Sequence, residues 1–199
     1  HNVEGLGLES IIPIATPEER ELALMNLGDY KFTFCDIAEE EEGGALQQLF
    51  ETWRPDAIIN LAQQPSAAYS MIDPYHAKWT MQNNVNGFLN LLWCMRDYVP
   101  RAHITTLGTL GEYGFPNMNI PEGFFEVKFE GMTDILPFPR QTSSVYHTSK
   151  VMTSDLAWFA ARVWELRITD IMQGVIYGTR TDDITEPVFN TRYDVGECF

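Results

Sequence analysis

A tyrosine and a lysine lie four residues apart in Tyr146-His-Thr-Ser-Lys150, within a stretch that is predicted to be helical. At this spacing both side chains lie on one face of the helix and can reach a common ligand. A free phenol has a pKa of about 10 and is a poor base at neutral pH, but a neighbouring ammonium favours the phenolate and lowers that pKa. The pair could therefore accept a proton from an alcohol.

A threonine stands where a third group for this chemistry is expected. Thr109 lies at the carboxyl end of a predicted strand, directly after its last residue, and open α/β sheets bind ligands at the carboxyl ends of their parallel strands. Its hydroxyl could orient a substrate oxygen while Tyr146 takes the alcohol proton and a nicotinamide accepts the hydride. A Tyr–Lys pair on a helix is more often a packing aromatic beside a solvated charge. The order strand, threonine, long loop, Tyr–Lys helix favours catalysis.

The elements that must position these residues alternate between short β-rich runs and longer amphipathic stretches. This alternation predicts βαβ units and a parallel sheet. The predicted strands are Lys31–Asp36, Ala57–Ala62, His103–Gly108 and Leu166–Gln173. The predicted helices are Pro17–Asn26, Ala45–Trp53, Pro74 to about Tyr98, and about Ser144 to Trp164.

Residues 114–140 are rich in proline, glycine and aromatic side chains and show no clear period. We interpret them as a long loop or small insertion near the substrate site.

Composition excludes several classes of protein. The chain has 13 Lys and Arg against 28 Asp and Glu, a formal charge of −15, and the basic residues form no patch that could bind nucleic acid. No apolar run reaches the ~18 residues that a membrane-spanning helix needs. Three separated cysteines predict no metal site, and they fit a reducing compartment. We expect a globular, cytoplasmic protein.

Several segments carry a resemblance to a known family. These are Gln64, Ser66–Asp73, Asn83–Gly87, Leu107–Gly114, Gly131–Pro137, Ser143–Lys150 and Thr169–Gly178. The sequence resembles the extended short-chain dehydrogenase/reductases of the NAD-dependent epimerase/dehydratase superfamily and, within them, the UDP-sulfoquinovose synthase family.

The resemblance implies a Rossmann-like, doubly wound parallel sheet with tightly bound NAD. It also implies oxidation of UDP-glucose at C4, elimination of water across C5–C6, addition of sulfite to the enone, and return of the hydride to C4. The expected assembly is a homodimer, and in a plant or alga the expected location is the chloroplast stroma.

The resemblance also assigns residues by their positions in the motifs. The catalytic positions are Thr109, Tyr146 and Lys150. The cofactor-binding positions are Asp36, Ile37, Leu61, Ala62 and Asn84, together with Tyr146 and Lys150. The substrate-binding positions are Gln64, Glu112, His147 and Gln173, together with Thr109, and His147 is the position expected to help place sulfite.

Three departures leave alternatives open. Pro65 stands where the family has Arg, Leu110 where it has Met, and Met172 where it has Asn. The alternatives are another nucleotide-sugar epimerase or dehydratase, and a non-catalytic scaffold that keeps the fold. Against a 4,6-dehydratase, the strand end lacks the Thr-Asp-Glu acid pair that eliminates water.

The sequence also lacks a Gly-rich pyrophosphate turn after a first strand. Gly108, Gly111 and Gly114 have a related spacing, but they follow the strand that contains Thr109. We therefore expect residues 1–199 to be an incomplete NAD-binding Rossmann-like domain, a fragment without the first βαβ unit and the C-terminal substrate domain.

Overall fold

The computed structural model describes residues 16–25, 31–38, 43–121 and 123–174. The helices are α1 (Pro17–Leu24), α2 (Ala45–Trp53), α3 (Pro74–Met81), α4 (Gly87–Tyr98) and α5 (Val145–Val163). The strands are β1 (Ala57–Asn60), β2 (His103–Thr109), β3 (Phe124–Phe129), β4 (Met132–Pro137) and β5 (Arg167–Gln173).

A parallel sheet in the order β1-β2-β5 is the centre of the fold. Parallel neighbours need a crossover connection, and α3, α4 and α5 supply it. The predicted α/β architecture with a parallel sheet is therefore confirmed. The register places Thr106 beside Asp170 and Thr109 beside Gln173, so the carboxyl ends of β2 and β5 lie level with each other.

The apolar core lies between this sheet and the helices. Phe88, Leu92 and Met95 of α4 are fully buried against Ile104 of β2 and Ala160 of α5. These α4 residues follow helical spacing, so one face of that helix enters the core.

The predicted long helix from Pro74 to Tyr98 consists of two α-helices joined by a π-helical segment, Gln82–Asn86. Asp73 caps its start through a hydrogen bond from the His76 backbone N–H, and Pro74 occupies the first turn. Asn84 lies in this π segment, and its side chain is fully buried.

Residues 114–140 contain an antiparallel hairpin, β3–β4, that the sequence pattern did not reveal. Glu130 and Gly131 form its turn, both with positive φ. The hairpin is mostly exposed and contributes no strand to the parallel sheet.

The prediction of a strand over Lys31–Asp36 is wrong, since these residues form neither helix nor strand. β-rich composition yields a strand only where a neighbour completes the ladder, and within the described ranges β1 pairs with β2 alone. The predicted helix at Pro17–Asn26 ends at Leu24, and the strand at Ala57 ends at Asn60.

None of the helices in the described part of the chain has the length and apolar character required to cross a bilayer.

Candidate active site

Thr109 is the last residue of β2 and sits at the carboxyl edge of the sheet. Its hydroxyl accepts a hydrogen bond from the Gly111 N–H at 3.2 Å and caps the short 3-10 helix Leu110–Tyr113. Gln173, its register partner, ends β5 directly beside it. Thr109 and Gln173, both predicted as site residues, are thus brought together.

Tyr146 and Lys150 lie in the first turns of α5. Ser144 caps the helix by accepting from the His147 N–H, and the Tyr146 backbone N–H donates to the Ser70 hydroxyl at 3.0 Å. Lys150 Nζ lies 5.6 Å from the centre of the Tyr146 ring. The phenol and the ammonium therefore have the proximity that the sequence spacing predicted.

Lys150 is nearly completely buried, with 2% of its surface exposed. Its ammonium donates to the carbonyl oxygen of Leu107 in β2 and to Oε1 of Gln63. Burial lowers the pKa of Lys150 to about 8, while Asp170 and Glu112 act in the opposite direction. The lysine is therefore held next to the strand end in a state that can gain or lose a proton near neutral pH.

Asn84 joins the helical layer to the loop after β1. Its Nδ2 donates to the Gln64 carbonyl oxygen at 3.0 Å and to the Ser149 hydroxyl at 2.9 Å, and its Oδ1 accepts from the Gln64 N–H at 2.7 Å. Ser149 in turn donates to the Tyr146 carbonyl oxygen. Asn84 thereby fixes the backbone beside the Tyr–Lys helix.

The Gln64 side chain, which the sequence predicts to contact substrate, is buried and bonded within the protein. It is 2% exposed, and its Nε2 donates to the Ser66 carbonyl oxygen and the Thr80 hydroxyl, both at 2.9 Å. Its Oε1 accepts from the Ser66 N–H. The neighbouring Gln63, which the sequence argument did not single out, is the residue that contacts Lys150.

His147 follows Tyr146 on α5 and packs against the 3-10 helix. Its Nδ1 lies 3.0 Å from the Ser144 hydroxyl and 3.2 Å from the Ser143 hydroxyl. The far side of the ring faces Gly111, where a Cβ would collide with the imidazole. Glycine at position 111 is therefore what lets His147 lie beside Thr109.

The proposed dinucleotide positions lie in two short loops. Asp36 is exposed, and its Oδ1 accepts from the Ala38 N–H at 2.9 Å. The Ile37 carbonyl accepts from Asn90 of α4 at 3.1 Å, which holds this turn on the helix. Leu61 and Ala62 follow β1 at the carboxyl edge, and both are exposed.

Glu112 is completely buried in the 3-10 helix that follows Thr109. Its Oε1 accepts from the Thr109 N–H at 3.4 Å and from the Ser154 hydroxyl at 3.1 Å, while Oε2 lies 3.2 Å from Arg140 Nη1. Burial raises the pKa of Glu112 to about 7, against the lowering effect of Arg140. This carboxyl lies beneath the Thr109 edge and contacts protein groups.

A cavity of about 710 Å³ lies beside this edge, between the hairpin and α5. Leu110 and Met172, two of the positions that depart from the resembled family, line it together with Arg140. Two of the three departures therefore fall on the wall of a space next to Thr109.

Ser154 and Asp170 are further polar residues at this edge that the sequence argument missed. Ser154 has no motif around it, and Asp170 is the single charge inside the otherwise uncharged run Ile168–Gln173. A charge within a predicted buried strand is the signal that could have identified Asp170.

A family model described as the NAD dependent epimerase/dehydratase family matches residues 9–192. Among curated proteins, the chloroplastic UDP-sulfoquinovose synthase of Spinacia oleracea is 41% identical over 180 residues, which is 89% of this chain and 37% of that protein. The UDP-sulfoquinovose synthase of Sulfolobus acidocaldarius is 39% identical over 199 residues, which is 98% of this chain and 50% of that protein.

Among solved structures, the UDP-Glc/GlcNAc 4-epimerase of Campylobacter jejuni superposes with a TM-score of 0.63 at 18% identity. The match covers 86% of this chain and 46% of the epimerase, and it shows a shared fold. The chain thus spans 37% to 50% of the length of these three relatives.

Proposed function

This chain belongs to the NAD-dependent epimerase/dehydratase family, and on that basis we propose that it acts on a nucleotide sugar, making UDP-sulfoquinovose from UDP-glucose and sulfite. The observation that carries the proposal is the grouping of Thr109, Tyr146 and Lys150 at one edge of the sheet. The two relatives named UDP-sulfoquinovose synthase, at 41% and 39% identity, support the choice of product.

In the proposed reaction Tyr146 is the base. The Lys150 ammonium, whose Nζ lies 5.6 Å from the centre of the ring, favours the phenolate form of Tyr146. Tyr146 then accepts the proton of the sugar 4-hydroxyl, which Thr109 orients through its own hydroxyl. Once water has left across C5–C6 and sulfite has added to the resulting enone, the hydride returns to C4 and Tyr146 returns the proton to the oxygen at C4.

The described residues fit NAD as the cofactor. Exposed Asp36 could accept from the adenosine end, and exposed Leu61 and Ala62 offer a backbone turn along the dinucleotide. Asn84 holds the backbone behind that turn. Lys150 and Tyr146 would hold the nicotinamide end. When bound, NAD accepts the hydride from C4 and later returns it.

His147, Gln173 and the cavity wall are the proposed substrate contacts. His147 stands next to the base and could hold an anionic nucleophile, and Gln173 lies level with Thr109. The buried side chains of Gln64 and Glu112 make their contacts within the protein, so we assign them to positioning the site.

The test is incubation of the protein with UDP-glucose, sulfite and NAD, followed by mass spectrometry of the nucleotide sugars. We expect a sulfonated product that requires all three reagents. A 4-keto-6-deoxy sugar formed without sulfite would place the protein with the dehydratases, and a C4 epimer would place it with the epimerases. Tight substrate binding without any product would support the scaffold alternative.

We further propose a homodimer formed through α4 and α5, which present exposed aromatic side chains. A cytoplasmic location is proposed, or the chloroplast stroma if the source is a plant or alga. The spinach relative, which is described as chloroplastic, supports the second possibility.

A further inference from the structure

Two carboxyl groups lie beneath the Thr109–Lys150 edge, and the proposed chemistry uses neither. Glu112 is completely buried, and Asp170 lies in β5. The hydroxyl of Ser154 on α5 lies between them, 3.1 Å from Glu112 Oε1 and 2.5 Å from Asp170 Oδ2. The Ser154 hydroxyl thus bridges the carboxyl groups of Glu112, in the 3-10 helix, and Asp170, in β5.

The geometry constrains the protonation of this group. A serine hydroxyl has one hydrogen, so it can donate to one of the two carboxyls and accept from the other. A carboxyl can donate only when it is protonated. Both short contacts to Ser154 are therefore satisfied when the two acids hold one proton between them. Two ionised carboxylates that share one bridging hydroxyl and are shielded from water would also repel each other.

We propose that Glu112 and Asp170 form a proton-sharing pair that controls the charge of Lys150. The pair itself follows from the contacts, whereas its effect on catalysis rests on the proposed function. When the shared proton leaves as the pH rises, the second negative charge appears and helps Lys150 to remain an ammonium.

The backbone of β2 connects the pair to Lys150. A Cβ at Gly108 would lie 2.7 Å from Asp170 Oδ1 and 3.3 Å from Glu112 Oε1, so both acids lie against the backbone at this glycine. The preceding residue, Leu107, provides the carbonyl oxygen to which Lys150 donates. Both carboxyls raise the pKa of Lys150 against the effect of burial.

The other charged groups around the pair are few among the described residues. Arg140 lies 3.2 Å from Glu112 and balances one negative charge, and exposed Asp155 faces the other side of Arg140. Tyr113 adjoins Glu112 in the 3-10 helix. With the shared proton in place the pair and Arg140 are neutral together, so losing that proton changes the field at Lys150 by a full charge.

The test is an NMR titration of the full chain, following the carboxyl carbons and the Lys150 side chain in the wild type, Glu112→Gln and Asp170→Asn. We expect one carboxyl of the wild-type pair to titrate near neutral pH. Glu112→Gln should remove that step, Asp170→Asn should move it to lower pH, and each substitution should lower the midpoint of Lys150 by about one pH unit. Asp155→Asn, which alters an exposed neighbour of Arg140, is the matched control and should leave Lys150 unchanged.

Ser154→Ala keeps both carboxyl groups and removes the bridging hydroxyl. It replaces Glu112→Gln or Asp170→Asn in the titration if either of these variants fails to fold. Loss of this donor should raise the midpoint of the carboxyl step. Two carboxyls that titrate independently at acidic pH, or a Lys150 midpoint equal in all variants, would overturn the proposal.

The NMR readout needs no turnover, so an inactive protein would refute the proposed function and leave this test intact. In an active protein, the alkaline limb of the rate profile should move to lower pH in Glu112→Gln, while the acidic limb stays in place. A uniform loss of rate without that movement would indicate a merely structural role.

Discussion

The chemistry proposed for this protein depends on the hydroxyl of Tyr146, because the phenolate oxygen is the group that accepts the substrate proton. Tyr146→Phe removes that oxygen and keeps the ring, which is 8% exposed and packs in the site. We expect hydride transfer to fall by roughly 100-fold or more while the thermal transition stays within the range of the wild type. Nicotinamide absorbance during a single turnover measures the rate of hydride transfer, and calorimetry measures the thermal transition. An unchanged rate would remove Tyr146 from its assigned role.

Glu112 predicts a stability profile that differs from that of an exposed acid. Burial raises its pKa from 4.5 in the unfolded chain to about 7 in the folded protein, so the folded state binds a proton more tightly. The contribution of the Glu112 carboxyl to the free energy of unfolding is complete below pH 4.5 and is lost as the pH rises to about 7. We therefore expect the free energy of unfolding to decline over this range in the wild type, and the decline to become shallower in Glu112→Gln.

Urea denaturation at several pH values measures how steeply the free energy of unfolding declines with pH. Asp155→Asn, at a side chain that is 72% exposed, should keep the wild-type decline. Equal slopes in Glu112→Gln and the wild type would contradict a raised pKa at Glu112.

Residue identity and spacing were sufficient to predict that Tyr146 and Lys150 share one face of a helix and that Thr109 lies at the carboxyl end of a strand, because these placements depend on local features of the chain. Gln63 and Ser154 could not be found in this way. Gln63 contacts Lys150, and Ser154 contacts Glu112, so each contact joins residues that are far apart in sequence. The residues next to Gln63 and Ser154 in the sequence form no motif that predicts these contacts.

The π segment Gln82–Asn86 gives the helical layer its connection to the site, and Asn84 is the residue that makes it. Asn84→Ala leaves the N–H and carbonyl of Gln64 without these partners in a buried position. Each such group costs on the order of 1–3 kcal/mol, so we expect a total loss of about 2–6 kcal/mol in the free energy of unfolding.

Chemical denaturation measures this loss. Asn83→Ala is the matched comparison, since Asn83 contributes one hydrogen bond, to Asn84 Oδ1 at 3.0 Å, and should cost less. A loss in Asn84→Ala no larger than in Asn83→Ala would show that the segment is held by other contacts.

Helices and parallel strands were predicted where local signals agreed with long-range contacts. Ala45–Trp53 was predicted within its exact bounds, because the left-handed Arg54 and Pro55 end that helix locally. The predicted strand at Lys31–Asp36 does not form, and the hairpin at Phe124–Pro137 was not predicted, because ladder formation depends on the neighbour that a segment meets. The π segment was missed because helical periodicity barely changes across five residues.

Across the described part of the molecule, the polar residues of the site lie at one edge of the sheet, and an aromatic patch lies on the helical layer. The patch consists of the exposed side chains of Trp93 on α4 and Phe159 on α5, together with half-buried Trp164, the C-cap of α5. The ring of Trp164 lies 4.9 Å from that of Trp93 and 5.0 Å from that of Phe159. The aromatic surface is therefore continuous across two helices, as a helix-mediated interface requires.

If α4 and α5 form the proposed homodimer, a charge placed in this patch should prevent it. Phe159 is 42% exposed, so Phe159→Glu leaves the core of each subunit in place and introduces a carboxylate that dimerisation would bury without a partner. We expect light scattering to give a dimer for the wild type and a monomer for Phe159→Glu. Phe129→Glu is the control, because Phe129 is 68% exposed on the hairpin, away from both helices, and this variant should remain a dimer. A monomeric wild type, or a Phe159→Glu variant that still dimerises, would exclude this face as the interface.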